Sequence, residues 1–177
     1  MKFQQFIFSI ALCLAFGCAS SNSTHQHSFA IYLTASPVDA RILGYYKGDW
    51  SQVKLSPTPV ITDADILTYD FTTHSMTLTL EAIGRIPRPS VSGTPFVVVA
   101  DGEKIYLGAF TTSISSIPTA LPSIMVDRRW LYTNQPANIL LIERGYPNDS
   151  FGVGKDPRSD KRIKTVLAAL NKLEPRQ

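Results

Sequence analysis

The sequence predicts an α+β fold: a mostly antiparallel sheet with a central β-hairpin, short helices and a C-terminal amphipathic helix. Phe96 to Val99 is a continuous apolar run, and Asp101-Gly102 separates it from a second β-rich run, Ile105 to Ala109. Both central residues of a type I′ turn need φ > 0, so Asp-Gly between two such runs indicates a two-residue hairpin turn. Near the C-terminus, apolar residues recur at helical spacing, at Ile163, Val166, Leu167, Leu170 and Leu173.

Length and composition indicate one globular domain. The chain has 177 residues, of which 44% are hydrophobic and 18% charged. This is enough for one sizeable core, and too apolar for a disordered chain. The formal net charge is only +3 and the basic residues are scattered until the C-terminus. Since a nucleic-acid-binding protein usually has a concentrated basic stripe, we expect no nucleic-acid partner.

The first 17 residues are typical of a secretory signal peptide. Lys2 precedes an apolar run from Phe6 to Phe16, which is followed by Gly17 and Cys18. A basic start, a short apolar run and a small residue before the cleavage site define such a signal. The run is shorter than the roughly 20 apolar residues that a membrane-spanning helix needs.

Leu14 to Cys18 resembles a bacterial lipobox, although Ala15 and Phe16 depart from its usual residues. The resemblance implies that Cys18 is acylated, as with palmitate, and becomes the mature N-terminus; plain secretion is the alternative. Ala19, rather than Asp, resembles an outer-membrane address. We therefore expect a lipid-anchored envelope protein on the outer membrane, facing the periplasm, which Cys18→Ser would release from the membrane.

Residues 18–28 form a polar segment that predicts a tether to a single domain spanning residues 29–173. His25 and His27 lie in this tether and suggest a metal site. Two histidines in a flexible tail without further ligands make a poor site, so a solvated linker is the better interpretation. With Cys13 in the signal and Cys18 carrying lipid, the domain has no disulfide.

The first half of the domain predicts short elements in order. Phe29 to Thr34 reads as a strand, and Asp49 to Leu55 as a short extended piece. Thr62 followed by Asp65 is a capping-box variant, which predicts one helical turn that ends at Ile66.

Alternation then predicts a half-buried strand at Met76, Leu78 and Leu80. Glu81 to Ile86 predicts a short helix, because Pro87 disfavours helical backbone in the residue before it. Farther on, the sequence predicts a short strand ahead of Asp127.

Asn138 to Glu143 predicts another strand. The C-terminal helix follows, capped by Asp156-Pro157 or by Ser159. Its polar face could attract anionic lipid or an acidic partner, but a solvated surface is the simpler interpretation. That face carries Lys161, Arg162, Lys164 and Lys172.

The chain contains no G-x-S-x-G, H-E-x-x-H, C-x-x-C or P-loop motif. Gly152 to Lys155 has part of a phosphate loop but reads better as a flexible turn. His74 lies between Asp70 and Ser75, so a Ser-His-Asp hydrolase can be drawn. We favour a surface role at a strand edge, with His74→Ala leaving the fold intact.

Asp63, Asp65 and Asp70 could supply oxygen ligands to a hard cation. The Gly turn and terminal Glu of an EF-hand are missing, so helix capping explains these carboxylates better. We therefore predict no catalytic residue, no metal and no cofactor.

Two stretches, PVITDADILTYDFTTHSMTLTLEA and GTPFVVVADGEKIYLGAFTTSISS, resemble the head subdomain of the first periplasmic domain of SecD and SecDF. The matching positions include Val60-Ile61-Thr62, Asp65-Ile66, and Val97 to Ile105, and the likeness covers about Ile31 to Ile114. The YLGAF and DPRSDKRI stretches also resemble small bacterial lipoproteins of unknown function.

The resemblance implies an α+β module that, in SecD, is thought to contact the emerging polypeptide. No apolar stretch after the signal is long enough to span a membrane, so the proton-driven motor of SecD is not implied. We expect a non-catalytic binding module for an envelope protein or peptide, and its alternative is a structural envelope or assembly protein without a ligand. The candidate binding surface is aromatic: Tyr45, Tyr46, Trp50, Trp130 and Tyr132.

Overall fold

The computed structural model describes residues 26–36, 52–127 and 136–175. Within these ranges it has eight strands, two α-helices and three short 3₁₀ turns. The strands are β1 (Phe29–Leu33), β2 (Ile61–Thr62), β3 (Ile66–Asp70), β4 (Ser75–Leu78), β5 (Thr94–Ala100), β6 (Glu103–Thr111), β7 (Ser123–Met125) and β8 (Ile139–Glu143). The helices are α1 (Leu80–Arg85) and α2 (Lys161–Ala169), and the 3₁₀ turns are Asp63–Asp65, Asp149–Phe151 and Pro157–Ser159.

The strands form one sheet that curls into a nearly closed barrel. Its order is β2-β1-β5-β6-β7-β8-β4-β3, and every neighbouring pair is antiparallel except β6 and β7. The two end strands of this order, β2 and β3, are joined directly by the 3₁₀ turn Asp63–Asp65. The prediction of a mixed α+β fold with a mostly antiparallel sheet is confirmed.

The outer edge of β3 is covered by the residues that follow α2. The Tyr69 N–H donates to the Lys172 carbonyl at 2.7 Å, and the Glu174 N–H donates to the Tyr69 carbonyl at 3.0 Å. Tyr69 and Leu173 thereby form a parallel bridge. Since an uncovered strand edge can pair with another chain, this contact protects one end of the sheet.

β5 and β6 pair from Thr94 opposite Phe110 to Ala100 opposite Glu103, and Asp101 and Gly102 connect them. Both connecting residues have positive φ, 49° for Asp101 and 79° for Gly102. Glycine adopts this backbone without steric cost, and Asp tolerates it better than most residues do.

Side chains from all parts of the sheet and from α2 fill the barrel. Ile163, Val166 and Leu167 of α2 are buried in this main core. A second, smaller cluster on the other face of β5 contains Val97, Val99 and Leu107. β5 is therefore buried on both faces, which explains why its sequence is a continuous apolar run rather than an alternating one.

The ends of two elements differ from the sequence prediction. Leu80 is not the last inward residue of a strand: it begins α1 and is 69% exposed, because the Thr79 hydroxyl accepts from the Ala82 N–H and caps the helix. α2 is capped by Asp160, whose carboxylate accepts from the Arg162 N–H at 2.9 Å. Asp156 instead caps the preceding 3₁₀ turn.

Several predictions concern residues outside the described ranges. They include the signal peptide, Cys18, His25, most of the tether and the start of the piece Asp49 to Leu55; at the end of that piece, Leu55 bridges to Thr34. No helix in the described part of the chain is long and apolar enough to cross a membrane. All five candidate aromatics lie outside as well: Tyr45, Tyr46, Trp50, Trp130 and Tyr132.

Candidate functional site

An open cleft of about 550 Å³ lies at the end of the barrel where β6 finishes. It is formed by the second half of α1, the proline-rich segment that follows, and the ends of β6, β7 and β8. Its size is within the range of about 300–1,000 Å³ that ligand pockets occupy. The cleft residues are Ile83, Gly84, Ile86, Pro87, Arg88, Pro89, Thr112, Ile114, Val126, Asp127 and Leu140.

The walls of the cleft are mainly apolar. Ile114 is 74% exposed and adds a large aliphatic side chain to the cleft. Gly84 leaves room on the helix side, because a Cβ atom built there meets no other heavy atom within 4 Å. The cleft therefore offers uncovered apolar surface to a ligand.

Asp127 fixes the loop that carries Ile114. Its carboxylate accepts hydrogen bonds from the Thr112 hydroxyl at 2.7 Å and from the Ser113 hydroxyl at 2.6 Å, and also from the Ser113 N–H. Burial alone would raise the pKa of Asp127, but these hydrogen bonds outweigh it and lower the pKa below its usual value. Tyr146 ties down the same loop by donating to the carbonyls of Thr112 and Ser115. The loop from Thr112 to Ser115 is therefore held in place by side chains from two other parts of the chain.

Arg88 is the second charged residue of the cleft, and it is exposed. Its side chain and its main-chain N–H and C=O have no hydrogen-bond or ion-pair partner among residues 26–36, 52–127 and 136–175. The neighbouring residues are Pro87 and Pro89, which have no N–H group to offer. The Arg88 guanidinium, and the backbone N–H and C=O of the same residue, therefore lie beside the apolar walls without a partner in the described residues.

The predicted tether reaches the opposite end of the barrel. The Asp101 carboxylate accepts from the Ser28 N–H at 2.9 Å and lies 2.9 Å from His27 Nδ1, while the Asp101 N–H donates to the Ser28 carbonyl. The last two residues of the predicted tether, His27 and Ser28, are therefore bound to the domain while partly exposed. Nine residues of β6 separate this turn from the cleft, a distance of about 30 Å.

His74 is buried rather than a surface residue at a strand edge, so that prediction is wrong. Its side chain is only 6% exposed and its φ is 56°. Nδ1 lies 3.2 Å from the Tyr69 hydroxyl and Nε2 lies 3.4 Å from the Ser159 hydroxyl. The turn between β3 and β4 folds the ring inward against the C-terminal segment, which strand periodicity could not reveal.

The predicted neighbours of His74 do not form a catalytic triad with it. Asp70 accepts hydrogen bonds from Thr72 and Thr73, and Ser75 contacts the Thr73 hydroxyl at 3.0 Å. The His74 contacts are instead a phenol and a distant hydroxyl, and the residue does not line the cleft. A Ser-His-Asp arrangement needs a carboxylate on the far side of the imidazole, which is absent here.

Burial lowers the pKa of His74, and the nearby positive charge of Arg158 lowers it further. The imidazole is therefore held in its neutral form. Asp156, Asp149 and Asp70 act in the opposite direction but do not reverse the shift.

Two of the three candidate cation ligands, Asp65 and Asp70, are occupied by local contacts. Asp65 accepts from the Thr62 N–H at 2.8 Å and pairs with Arg85 at 2.6 Å. Burial raises the pKa of Asp65, but the hydrogen bond from Arg85 and those from Thr62 lower it overall. In the described ranges, no cluster of three or more His, Cys, Asp or Glu residues could hold a metal ion.

Sequence reasoning missed a buried arginine cluster. Arg158 is only 5% exposed, and its guanidinium donates to the Ile142 carbonyl at 2.7 Å and pairs with Asp156 and Asp149. The pairing fixes the segment before α2 against β8. The sequence Asp156-Pro157-Arg158 could have indicated the Asp156–Arg158 pair, because a potential acidic cap stands two residues before an arginine.

No protein-family profile, curated protein or solved structure matches the chain. The resemblance to the SecD head therefore rests on the residues quoted above and stays a prediction.

Proposed function

We propose that the protein is a lipid-anchored, non-catalytic binding module of the cell envelope, and that the cleft is its binding site. The observation that carries this proposal is the placement of two features at opposite ends of β6. The start of the domain is bound at the Asp101-Gly102 turn, and the cleft lies beyond Thr111. A lipid on Cys18 would thus hold the turn toward the membrane and present the cleft away from it.

The chemistry of the cleft favours binding over catalysis. Its charged residues are Asp127, whose carboxylate is held by Thr112 and Ser113, and an exposed arginine. Asp127 contacts the hydroxyls of Thr112 and Ser113, but the described cleft residues include no histidine that could act as a general base near neutral pH. His74 lies in a separate buried cluster and acts in folding.

The central hairpin and the C-terminal helix have a scaffolding role in this proposal. Together they bury the main core and hold the two ends of the barrel apart, so that the loops at each end are free to take up contacts. The likeness to the SecD head supports the same interpretation, because that head is thought to contact polypeptide. That likeness lies in the sequence pattern, and the cleft residues carry the argument.

Site-specific photo-cross-linking in cells tests this proposal. A benzoylphenylalanine at position 114 should cross-link to an envelope partner, whereas the same group at Val153, which is 71% exposed and lies outside the cleft, should not. Gly84→Leu fills the cleft and should remove the product. Glu81→Leu adds the same side chain on an exposed, non-cleft position of α1 and should leave it.

The opposite result would favour the alternative, a structural envelope protein without a ligand. In that case positions 114 and 153 would give the same products, and Gly84→Leu would change neither.

A further inference from the structure

We infer that the cleft takes an extended peptide segment in which apolar side chains are followed by a carboxylate, and that Arg88 binds this carboxylate. The inference rests on the proposed function and specifies its ligand. Three features of the cleft lead to it: the apolar walls, the backbone N–H and C=O of Arg88, and the charge of its guanidinium.

The main chain at the rim is suited to an extended partner. Ile86 is extended, with φ −63° and ψ 125°, and two prolines prevent the following residues from continuing α1. The N–H and C=O of Arg88 have no partner within the described parts of the chain. A peptide in extended conformation presents the same pair of groups on alternate residues and can satisfy both.

The two charged residues of the cleft indicate which charge the ligand carries. Asp127 already accepts three hydrogen bonds from Thr112 and Ser113, so its oxygens are engaged by its own loop, while the carboxylate keeps its negative charge. The Arg88 guanidinium has no hydrogen-bond or ion-pair partner in the described residues. A guanidinium matches a carboxylate in geometry and can donate two parallel hydrogen bonds to it. An anionic group on the ligand is therefore favoured beside Arg88.

The apolar part of the ligand has a matching surface. Ile114 projects from a loop held by Asp127, and Ile83, Val126 and Leu140 continue the wall. Covering Ile114 removes exposed aliphatic surface from water, which supplies a non-directional share of the affinity. The arginine then orients the segment.

Two synthetic peptides test the inference by titration calorimetry with the purified full-length protein. Both carry an acetylated N-terminus and an amidated C-terminus: Gly-Ser-Val-Ile-Leu-Glu-Gly-Ser and its twin with Gln in place of Glu. We expect the acidic peptide to bind about tenfold more tightly than its twin, as a charge-assisted hydrogen bond in a cleft allows. Arg88→Gln should remove this difference and leave the thermal midpoint unchanged, because Arg88 is exposed and has no hydrogen-bond or ion-pair partner among the described residues.

Gly84→Leu should abolish binding of both peptides, while Glu81→Leu should leave both affinities unchanged. Equal affinities for the two peptides, or a difference that survives Arg88→Gln, would overturn the role of the carboxylate. Binding of sodium laurate but of neither peptide would show a lipid-type ligand, and a dimer that Gly84→Leu dissociates would show a second copy as the occupant. Either result also overturns the inference.

The outcome can be separated from that of the proposed function. If neither peptide binds but the cross-link at position 114 persists, the binding module stands and the ligand class is wrong. If the cross-link is also absent, both proposals fail.

Discussion

At the residue scale, His74 combines two constraints that make it a folding residue. Its backbone is left-handed, which most residues avoid but His tolerates several-fold better than average. Its ring sits between the Tyr69 hydroxyl and the Ser159 hydroxyl, and 5.5 Å from the Phe71 ring centroid. The sequence placed a lone histidine between polar residues, and nothing in the periodicity indicates that a turn would fold it inward.

His74→Ala should therefore lower the free energy of unfolding by about 2–3 kcal/mol. The buried Tyr69 hydroxyl loses its partner, and alanine is strained at positive φ. Urea unfolding measures the change, with Thr72→Ala, at an exposed position of the same turn, as a control expected within about 0.5 kcal/mol. Unchanged unfolding of His74→Ala would restore the surface role that the sequence predicts.

Stability should also fall in mild acid because of His74. Its pKa in the folded state lies below the value of about 6.5 that it has when unfolded, so the unfolded chain binds the proton first. The contribution is therefore complete above about pH 6.5 and is lost as the pH falls toward the folded pKa. Lowered carboxylate pKa values, such as that of Asp127, act only below about pH 4.

Thermal unfolding at pH 7.5 and pH 5.0 measures this effect. The wild-type midpoint should drop by more than that of His74→Asn, which keeps a residue type that tolerates left-handed backbone. Parallel curves for the two proteins would mean that His74 does not titrate in this window.

At the scale of elements, residue spacing predicts structure best where a short segment hydrogen-bonds to its own backbone. Thr62 and Asp65 form the capping box that their spacing predicts, and they start the 3₁₀ turn. The paired apolar runs around Asp101-Gly102 lie in β5 and β6. The predicted cap of α2, Asp156-Pro157 or Ser159, is wrong: Asp156 caps the 3₁₀ turn Pro157–Ser159 and Asp160 caps α2. Aspartate is a favoured cap residue at both positions, so residue type alone does not distinguish them.

Gly108 shows a requirement that no local rule reveals. A Cβ atom there would overlap the ring of Phe96 and lie 2.7 Å from the Pro122 carbonyl oxygen. We expect Gly108→Ala to destabilise the protein by about 1–3 kcal/mol, because both neighbours are packed in the core and cannot move apart easily.

Gly84→Ala is the matched control for Gly108→Ala. Its Cβ atom would meet nothing within 4 Å, and alanine favours α1, so the protein should gain about 0.5–1 kcal/mol. Chemical denaturation of both variants measures the contrast. If Gly108→Ala were as stable as the wild type, β5 and β6 would not pack as closely as the structure has them.

At the scale of the whole molecule, the sequence predicts the class of fold but not the cleft. The α+β class follows from patterns within single segments. The cleft is assembled from four parts of the chain: residues 83–89, the loop at Ile114, Val126 and Asp127 directly after β7, and the start of β8 at Leu140. Only the closing of the sheet brings them together, so no spacing in the sequence could indicate it. The aromatic residues proposed from the sequence stay a prediction.

We propose that a lipid anchor holds the Asp101-Gly102 end of the domain at the membrane and that the cleft at the other end binds an envelope partner. Loss of the lipid should therefore reduce binding in cells without changing the structure of the cleft. Cys18→Ser should move the protein out of the membrane fraction, while the thermal midpoint of the domain stays unchanged.

The most direct measurement is the yield of the cross-link at position 114 in cells that make equal amounts of the Cys18 and Cys18→Ser proteins. We expect a clear product with Cys18 and a severalfold lower yield with Cys18→Ser, because the effective concentration of a membrane-bound partner is lost. A product of equal yield in both proteins would contradict the anchored module, and the absence of any product with Cys18 would contradict binding at the cleft.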